Sequence, residues 1–362
     1  MKIVITGSLG HIGSSLIRNL PNEFPNAEIV MNPIMLVVLG LIVGTLSGFF
    51  GIGGGFLITG SLLVLGVPPL YAVGTGITLV MGTAIISTLK HRQLGNVDFK
   101  FGFCLICGTI PAVVIAERLN QILDANDIAS PVIQGLYLLM LCGIGSFITY
   151  DSIRNKGQGD VKTRNMFLRN LKIGPEFVRL PFLGKRSLYS SFPVAQIESM
   201  SIFVVILIGF CIGFLAGLLG AGGGFIMMPV LIYLVGIPTT VAIGTDLMQV
   251  IVTGSLGTFL YALSGKVDLL MAVFMLIPAF FLSQIGALAT RFVDSSRIRA
   301  VYGLLLIVGG LAVGLEYISE FVVYEEILGR IAIIMLVGFS ACVSIWILFM
   351  CVKGMITRSL VD

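Results

Sequence analysis

Two glycine clusters are the residues of this 362-residue sequence best suited to chemistry. The first reads Gly48-Phe-Phe-Gly-Ile-Gly-Gly-Gly-Phe56 and the second Gly217-Leu-Leu-Gly-Ala-Gly-Gly-Gly-Phe225, with every glycine in register. A run such as Gly53, Gly54 and Gly55, or Gly222, Gly223 and Gly224, frees backbone N–H groups, and a helix that starts after it adds the positive end of its dipole. That combination suits an anion. The segment following each cluster carries polar groups inside an apolar run: Thr75, Thr78 and Thr83 in one, Thr245, Asp246, Gln249 and Thr253 in the other. Thr75 and Thr245 match each other, and two readings are open for them: hydroxyl donors to a bound oxyanion, or bonds back to their own helix carbonyls. Asp246 lies eight residues past Pro238, about 12 Å along a helix, and an acid at that depth is costly and usually functional. Proton coupling, a structural hydrogen bond and cation coordination are the three uses it could have. Its counterpart in the first half is Gly76, so the symmetry breaks there. Ser283 and Gln284 are weaker candidates of the same kind.

These residues need a scaffold, and composition says which. The chain is 57% hydrophobic and 11% charged, with a mean hydropathy of +1.05, more apolar surface than a soluble core of this length could hide. Apolar runs at 33 to 50, 54 to 66, 68 to 89, 99 to 119 and 131 to 150 are followed by others at 201 to 220, 225 to 236, 238 to 263, 268 to 290 and 297 to 316, and an extra run spans 329 to 352. Most are long enough to cross a hydrocarbon core of roughly 30 Å. The runs at 54 to 66 and 225 to 236 are too short for that, so each is read as a half-helix entered through its glycine cluster, with an ordinary kinked helix as the alternative.

The order of motifs repeats. Gly66-Val-Pro68 falls on Gly236-Ile-Pro238, Ala72-Val-Gly-Thr75 on Ala242-Ile-Gly-Thr245, Gly95-Asn-Val-Asp98 on Gly265-Lys-Val-Asp268, and Ile110-Pro-Ala112 on Ile277-Pro-Ala279. Loop charge then tests direction. Lys90, Arg92 and Lys100, and the nine basic against four acidic residues of 151 to 200, mark cytoplasmic loops; Arg118 against Glu117, Asp124 and Asp127 marks an outer one. Arg291, Arg297 and Arg299 read as inside, and Glu316, Glu320, Glu325 and Glu326 against Arg330 as outside, which places the Gly265 loop outside and its Gly95 counterpart inside. The expected fold is therefore all-α: a polytopic transmembrane helical protein of two inverted repeats with glycine-broken re-entrant or half helices. The expected divisions are a nucleotide-fold-like remnant at 1–32, membrane repeat 1 at 33–150, a basic cytoplasmic loop at 151–200, membrane repeat 2 at 201–316 and an additional C-terminal transmembrane helix at 317–362, ending in the cytoplasm.

Other features point elsewhere and are weaker. Residues 1 to 20 read as a strand, then Gly7, Gly10 and Gly13, then a helix, similar to the opening of a short-chain dehydrogenase; a dinucleotide fold needs further strand and helix units, and the membrane runs begin by residue 34. A membrane-bound NAD-dependent oxidoreductase is the alternative this start would suggest, and a fusion remnant or overextended start the preferred one. Cys104 and Cys107 form a C-x-x-C within an apolar run with no histidine or acid near in sequence; all six cysteines are expected to be small packing groups. His11 and His91 are too few for a histidine-rich metal site, so no metal and no cofactor are expected. The stretch from Met166 to Leu183 mixes apolar and basic residues and reads as either an interfacial segment on the inner leaflet or a solvated loop.

At the glycine clusters and the Gly-x-Pro and Ala-x-Gly-Thr positions, residues 48 to 98 and 217 to 268 resemble the paired repeats of the TauE/SafE sulfite exporter family, with coverage of about 33 to 316. The resemblance implies a membrane permease for sulfite, sulfonates or related sulfur-containing anions. The expectation is a secondary transporter in the cell membrane, working by export, with an importer of anions such as thiosulfate as the rival reading and no catalysis. Its partners would be the small anion and the bilayer, with no nucleic acid, and a homodimer is a candidate assembly.

Overall fold

A computed structural model describes residues 2–4, 28–30, 33–65, 67–126, 128–154, 177–180, 184–187, 189–220, 222–319 and 325–359. Gly7, Gly10, Gly13, Gly66, Ala221, Glu320 and most of the stretch from Met166 to Leu183 lie outside them.

The first half comprises α1 (Pro33–Phe50), α2 (Gly55–Val64), α3 (Pro69–Gln93), α4 (Phe99–Ala125) and α5 (Ala129–Arg154). The second repeats the order: α6 (Ile202–Leu219), α7 (Gly224–Pro229) continued by a π-helical turn (Val230–Val235), α8 (Thr239–Leu263), α9 (Leu269–Ala289) and α10 (Ser295–Ser319). An additional helix follows in two pieces, α11 (Glu325–Ile333) and α12 (Phe339–Ser359), joined by a second π-turn (Ile334–Gly338). Among the described residues nine helices are long and apolar enough to cross a membrane, counting α11 to α12 as one, so the chain is an all-α polytopic membrane protein.

The short elements α2 and α7 are separated from α1 and α6 by real breaks, which excludes the kinked-helix alternative. Gly51, Gly53 and Gly54 have φ of 74°, 63° and 80°, and Gly220, Gly222 and Gly223 have 62°, 67° and 86°. Left-handed backbone repeated three times within four residues cannot continue a right-handed helix, and only glycine adopts it without a Cβ penalty.

Several helices run past their apolar stretch. α3 continues to Gln93 through Lys90 and Arg92, and α4 to Ala125. Backbone pairing there outlasts the hydrophobic signal, and the basic residues in the last turn of α3 complement the negative end of its dipole.

Packing exchanges partners between the halves. α1 lies along α9: a Cβ on Gly44 would stand 2.5 Å from Ala279 Cα, and one on Gly48 1.9 Å from Ser283 O. α6 lies along α4 in the same way, with Gly209 against Leu105 and Gly213 against Thr109. Helices in lipid gain little from apolar transfer when they meet, so such small residues, which let backbones approach, mark the contacts that hold the bundle. α3 and α8 run antiparallel, Ile77 facing Gly257 and Met81 facing Gly254; α5 and α10 do likewise, with Gly145 against Gly303 and Gly310 against Cys142.

The six cysteines are free, and three of them correct the packing expectation. Cys107, Cys211 and Cys342 are exposed on the outer surface of the bundle, whereas Cys351 is buried. In a helix facing lipid an apolar thiol is tolerated without a protein neighbour.

Strands are few and short. β1 (Lys2–Val4) pairs in parallel with β2 (Glu28–Val30), and β3 (Phe177–Leu180) pairs antiparallel with β4 (Gly184–Ser187), so part of the basic stretch is a ribbon. A second hairpin, β5 (Tyr189–Phe192) and β6 (Ile197–Ser201), docks on the start of α4. Asp98 Oδ2 accepts from Ala195 N at 3.1 Å, Lys100 Nζ donates to Ser191 O at 3.0 Å, and Phe192 meets Phe101 edge-on at 5.1 Å.

Candidate functional site

The two glycine bends meet at the centre of the bundle. Cβ atoms built on Gly53 and on Gly222 would strike the same two side chains, Val80 Cγ1 (2.7 and 2.5 Å) and Val250 Cγ1 (3.3 and 3.2 Å). Val80 and Val250 are themselves matched positions on α3 and α8. A Cβ on Gly224 would stand 2.6 Å from Ile52 Cα, so the second bend also touches the first directly. Ser61, Thr59 and the apolar residues of α2 are buried, as is α7, which keeps the broken backbone away from lipid.

Each bend presents amides at a helix start. In the first, Gly55 N–H reaches Ile52 O at 3.4 Å and Ile58 N–H reaches Gly54 O at 3.0 Å, leaving the amides of Phe56 and Leu57 outside the helical ladder. In the second, Ile226 and Met227 both donate to Gly223 O, at 3.0 and 2.9 Å, and the amides of Gly224 and Phe225 have no backbone acceptor among the described residues. The preceding helix ends are tied by ring-bearing side chains at matched positions. His91 Nε2 bonds Gly48 O at 3.0 Å, and Tyr261 OH donates to Gly217 O at 3.1 Å. Asn120 Nδ2 adds bonds to Leu218 O at 3.0 Å and to Tyr261 OH at 2.5 Å, Tyr137 OH donates to Leu219 O at 2.7 Å, and Tyr302 OH donates to Phe225 O at 2.9 Å. These partners escape a motif-based reading because each residue type is ordinary alone. Extending the repeat alignment would have paired His91 with Tyr261.

Thr75 and Thr245 are fully buried and have a use outside both readings drawn from sequence. Thr75 Oγ1 accepts the backbone N–H of Asp268 at 3.0 Å, and Thr245 Oγ1 accepts that of Asp98, also at 3.0 Å. Asp268 and Asp98 in turn cap α9 and α4 by accepting from Met271 N and Phe101 N, each at 3.0 Å. Each threonine thus clamps the loop of the opposite half. Replacing Thr245 by Val leaves a buried amide without its acceptor, at a cost of about 1–3 kcal/mol. Thr245→Val is therefore expected to lower the melting temperature in detergent and Thr245→Ser to leave it close to that of the parent. Equal melting of all three would show that the clamp carries no stability.

Polar groups unique to the second half cluster on α8. Thr83 donates to Gly53 O at 2.7 Å, whereas its counterpart Thr253 turns to Gln249 O at 3.0 Å and accepts from Gln249 Nε2 at 3.1 Å. Gln249 Oε1 and both carboxylate oxygens of Asp246 are buried with no hydrogen-bond partner among the described residues. No structural hydrogen bond of Asp246 is thus present there. Ser283, on α9, bonds back to Phe280 O at 3.2 Å.

A cavity of about 520 Å³ opens beside the Gly265 loop, lined by Glu117, Arg118, Gln121, Asp124, Ser264 and Lys266, with Tyr261 at its wall. Lys266 Nζ lies 3.2 Å from Asp124 Oδ2 and 5.3 Å from the centre of the Tyr71 ring. Glu117 Oε1 accepts from Ser264 Oγ at 2.9 Å and from Gln121 Nε2. Among the described residues no group of three or more His, Cys, Asp or Glu could hold a metal ion.

The sequence profile described as Sulfite exporter TauE/SafE matches residues 36–313, which takes in both bends and reaches from α1 into α10. Among curated proteins, "Probable membrane transporter protein YunE" of Bacillus subtilis is 27% identical over 288 residues, covering 77% of this chain and 96% of that protein. "Probable membrane transporter protein MJ0441" of Methanocaldococcus jannaschii is 26% identical over 291 residues, covering 76% and 93%. "Sulfite exporter TauE/SafE family protein 5" of Arabidopsis thaliana is 29% identical over 129 residues, 33% of this chain and 29% of that one. No solved structure gives a significant match. With the profile spanning most of its length and both repeats, the chain belongs to the sulfite exporter TauE/SafE family of membrane transporters.

Proposed function

We propose that this membrane transporter carries small sulfur-containing oxyanions or sulfonates, in the direction of export, by secondary transport. The observation that carries the reading is the meeting of two glycine bends on Val80 and Val250, each heading a buried helix whose opening amides lack acceptors among the described residues. Oxyanions offer several acceptor oxygens to such amides and need no buried lysine. In this reading Gly53, Gly54 and Gly55 with Gly222, Gly223 and Gly224 surround the anion, Gln249 adds a polar contact from α8, and Thr75 and Thr245 hold the walls. The description of the family supplies the sulfur class and the direction.

The halves are taken as inverted repeats, supported by the antiparallel course of the matched pairs α3 with α8 and α5 with α10. Loop charge orients them with 151–200 and the C-terminus in the cytoplasm, which puts the cavity at Lys266 on the outer face as the route to the site.

Flux assays in vesicles reconstituted with the full chain test the function. Sulfite, thiosulfate and alkyl sulfonates are expected to cross faster than through protein-free vesicles, and chloride is not. Absence of protein-dependent flux for all the sulfur anions, with the chain folded and inserted, would remove this substrate class.

A further inference from the structure

The two helix starts at the site are not equivalent. At the second, a Cβ on Gly224 would stand 2.9 Å from Asp246 Oδ2 and 2.6 Å from Ile52 Cα, so the carboxylate lies beside the first residue of α7, where the first bend also packs. It is fully buried, and neither of its oxygens has a hydrogen-bond partner among the described residues. At the matched place in the first half stands Gly76, and the space beside it is taken by Thr59 Oγ1, which donates to Gly220 O at 3.2 Å. The neutral Thr59 hydroxyl thus fills the space beside Gly76, whereas at the matched position 246 an acid faces the start of α7.

Among the described residues that acid has no hydrogen-bond or ion-pair partner. Tyr302 of α10 is the titratable group that acts on it electrostatically, and the Tyr302 hydroxyl donates to Phe225 O. His91 of α3 is held at Gly48 O, Asp98 of α4 caps its own helix, and Glu117 of α4 faces Ser264. Among the described residues no Lys or Arg forms an ion pair with Asp246, and Arg299 of α10 is bonded to Thr239 Oγ1 at 3.0 Å. A desolvated carboxylate without a cation is stabilised only by dipoles, and the helix start beside Gly224 is the one whose amides are proposed for the transported anion. Two anions cannot share them in a dry site.

We propose that Asp246 is a tethered competitor of the substrate: its ionised carboxylate occupies the amide site between the bends, and its protonation releases the site to a free anion. The inference rests on the transport reading above and adds the coupling. One anion and one proton load together from one side, the proton residing on a carboxylate oxygen of Asp246, and both leave on the other side as the carboxylate ionises and returns to the amides. The cycle is anion–proton symport with no other co-reactant.

The test uses the purified full chain and methanesulfonate, the anion of a strong acid, which has no titration of its own near neutral pH. Calorimetric binding in two buffers of different ionisation enthalpy counts the protons taken up. The expected result is about one proton per methanesulfonate bound, with an apparent affinity that weakens about tenfold per pH unit above the titration of the carboxyl. Asp246→Asn is expected to bind with no proton uptake and a flat pH profile. Binding by the wild-type chain without proton uptake, or binding that requires Na⁺ instead, overturns the proposal and leaves the transport reading standing. So does proton uptake that persists in Asp246→Asn. If that variant fails to fold, the wild-type proton count decides alone. Should neither methanesulfonate nor thiosulfate bind the wild-type chain at any pH, the transport reading fails and the coupling with it.

Discussion

Gly222→Ala and Gly53→Ala are expected to weaken anion transport by roughly five- to 150-fold, while Gly265→Ala leaves it near the parental level. All three glycines have similar left-handed backbone, with φ of 67°, 63° and 68°, so the conformational penalty of a Cβ, about 1–2 kcal/mol, is common to the set. What differs is space. The new methyl would stand 2.5 Å from Val80 Cγ1 at position 222 and 2.7 Å at 53, whereas at 265 nothing lies within 4 Å. Relieving that overlap costs about 1–3 kcal/mol, and since the collision is with the valines on which the two bends meet, the loss falls on the geometry of the site. Concentration dependence of flux in reconstituted vesicles measures it. Equal affinities for all three variants would separate the bends from substrate binding.

Gly44→Val is expected to abolish the folded protein. The substituent has no room against Ala279, whose Cα, O and C all lie within 3.0 Å of a Cβ there, and these are backbone atoms that cannot swing aside. A destabilisation of ~3 kcal/mol or more follows from overpacking a helix contact of this kind. Gly143→Val on α5 supplies the comparison, because nothing lies within 4 Å of its Cβ position. Size-exclusion profiles in mild detergent should show a sharp peak for Gly143→Val and aggregate for Gly44→Val. A sharp, parent-like peak for Gly44→Val would mean that α1 and α9 can separate without loss.

The spans, the repeat and the breaks at Gly51–Gly54 and Gly220–Gly223 were legible because each leaves a local mark: length, order of motifs, and glycine where a Cβ would not fit. Asp246 stood out because an acid inside an apolar run is costly enough to need a reason. The role of Thr75 and Thr245 was not legible, since their partners, the amides of Asp268 and Asp98, lie 193 and 147 residues away and a backbone N–H has no sequence signature. The pairing of α1 with α9 and α6 with α4 was hidden for a related reason. Apolar composition shows that a helix crosses lipid but not which neighbour it touches. Only the spacing of Gly40, Gly44 and Gly48, and of Gly209, Gly213 and Gly217, hints that these faces meet a backbone. The hairpin 189–201 leaves no such mark, because its strands, at four and five residues, are too short for an alternating pattern to register.

The exchange of neighbours constrains how the chain can be made. α1 emerges from the ribosome long before Leu269 begins its mate, an interval on the order of tens of seconds at ~5–20 residues per second. Throughout that wait its glycine-lined flank rests on lipid or on insertion machinery, and α4 likewise waits for α6. A nascent chain stalled before residue 269 would therefore be a ready substrate for membrane quality control, however well its individual spans had inserted.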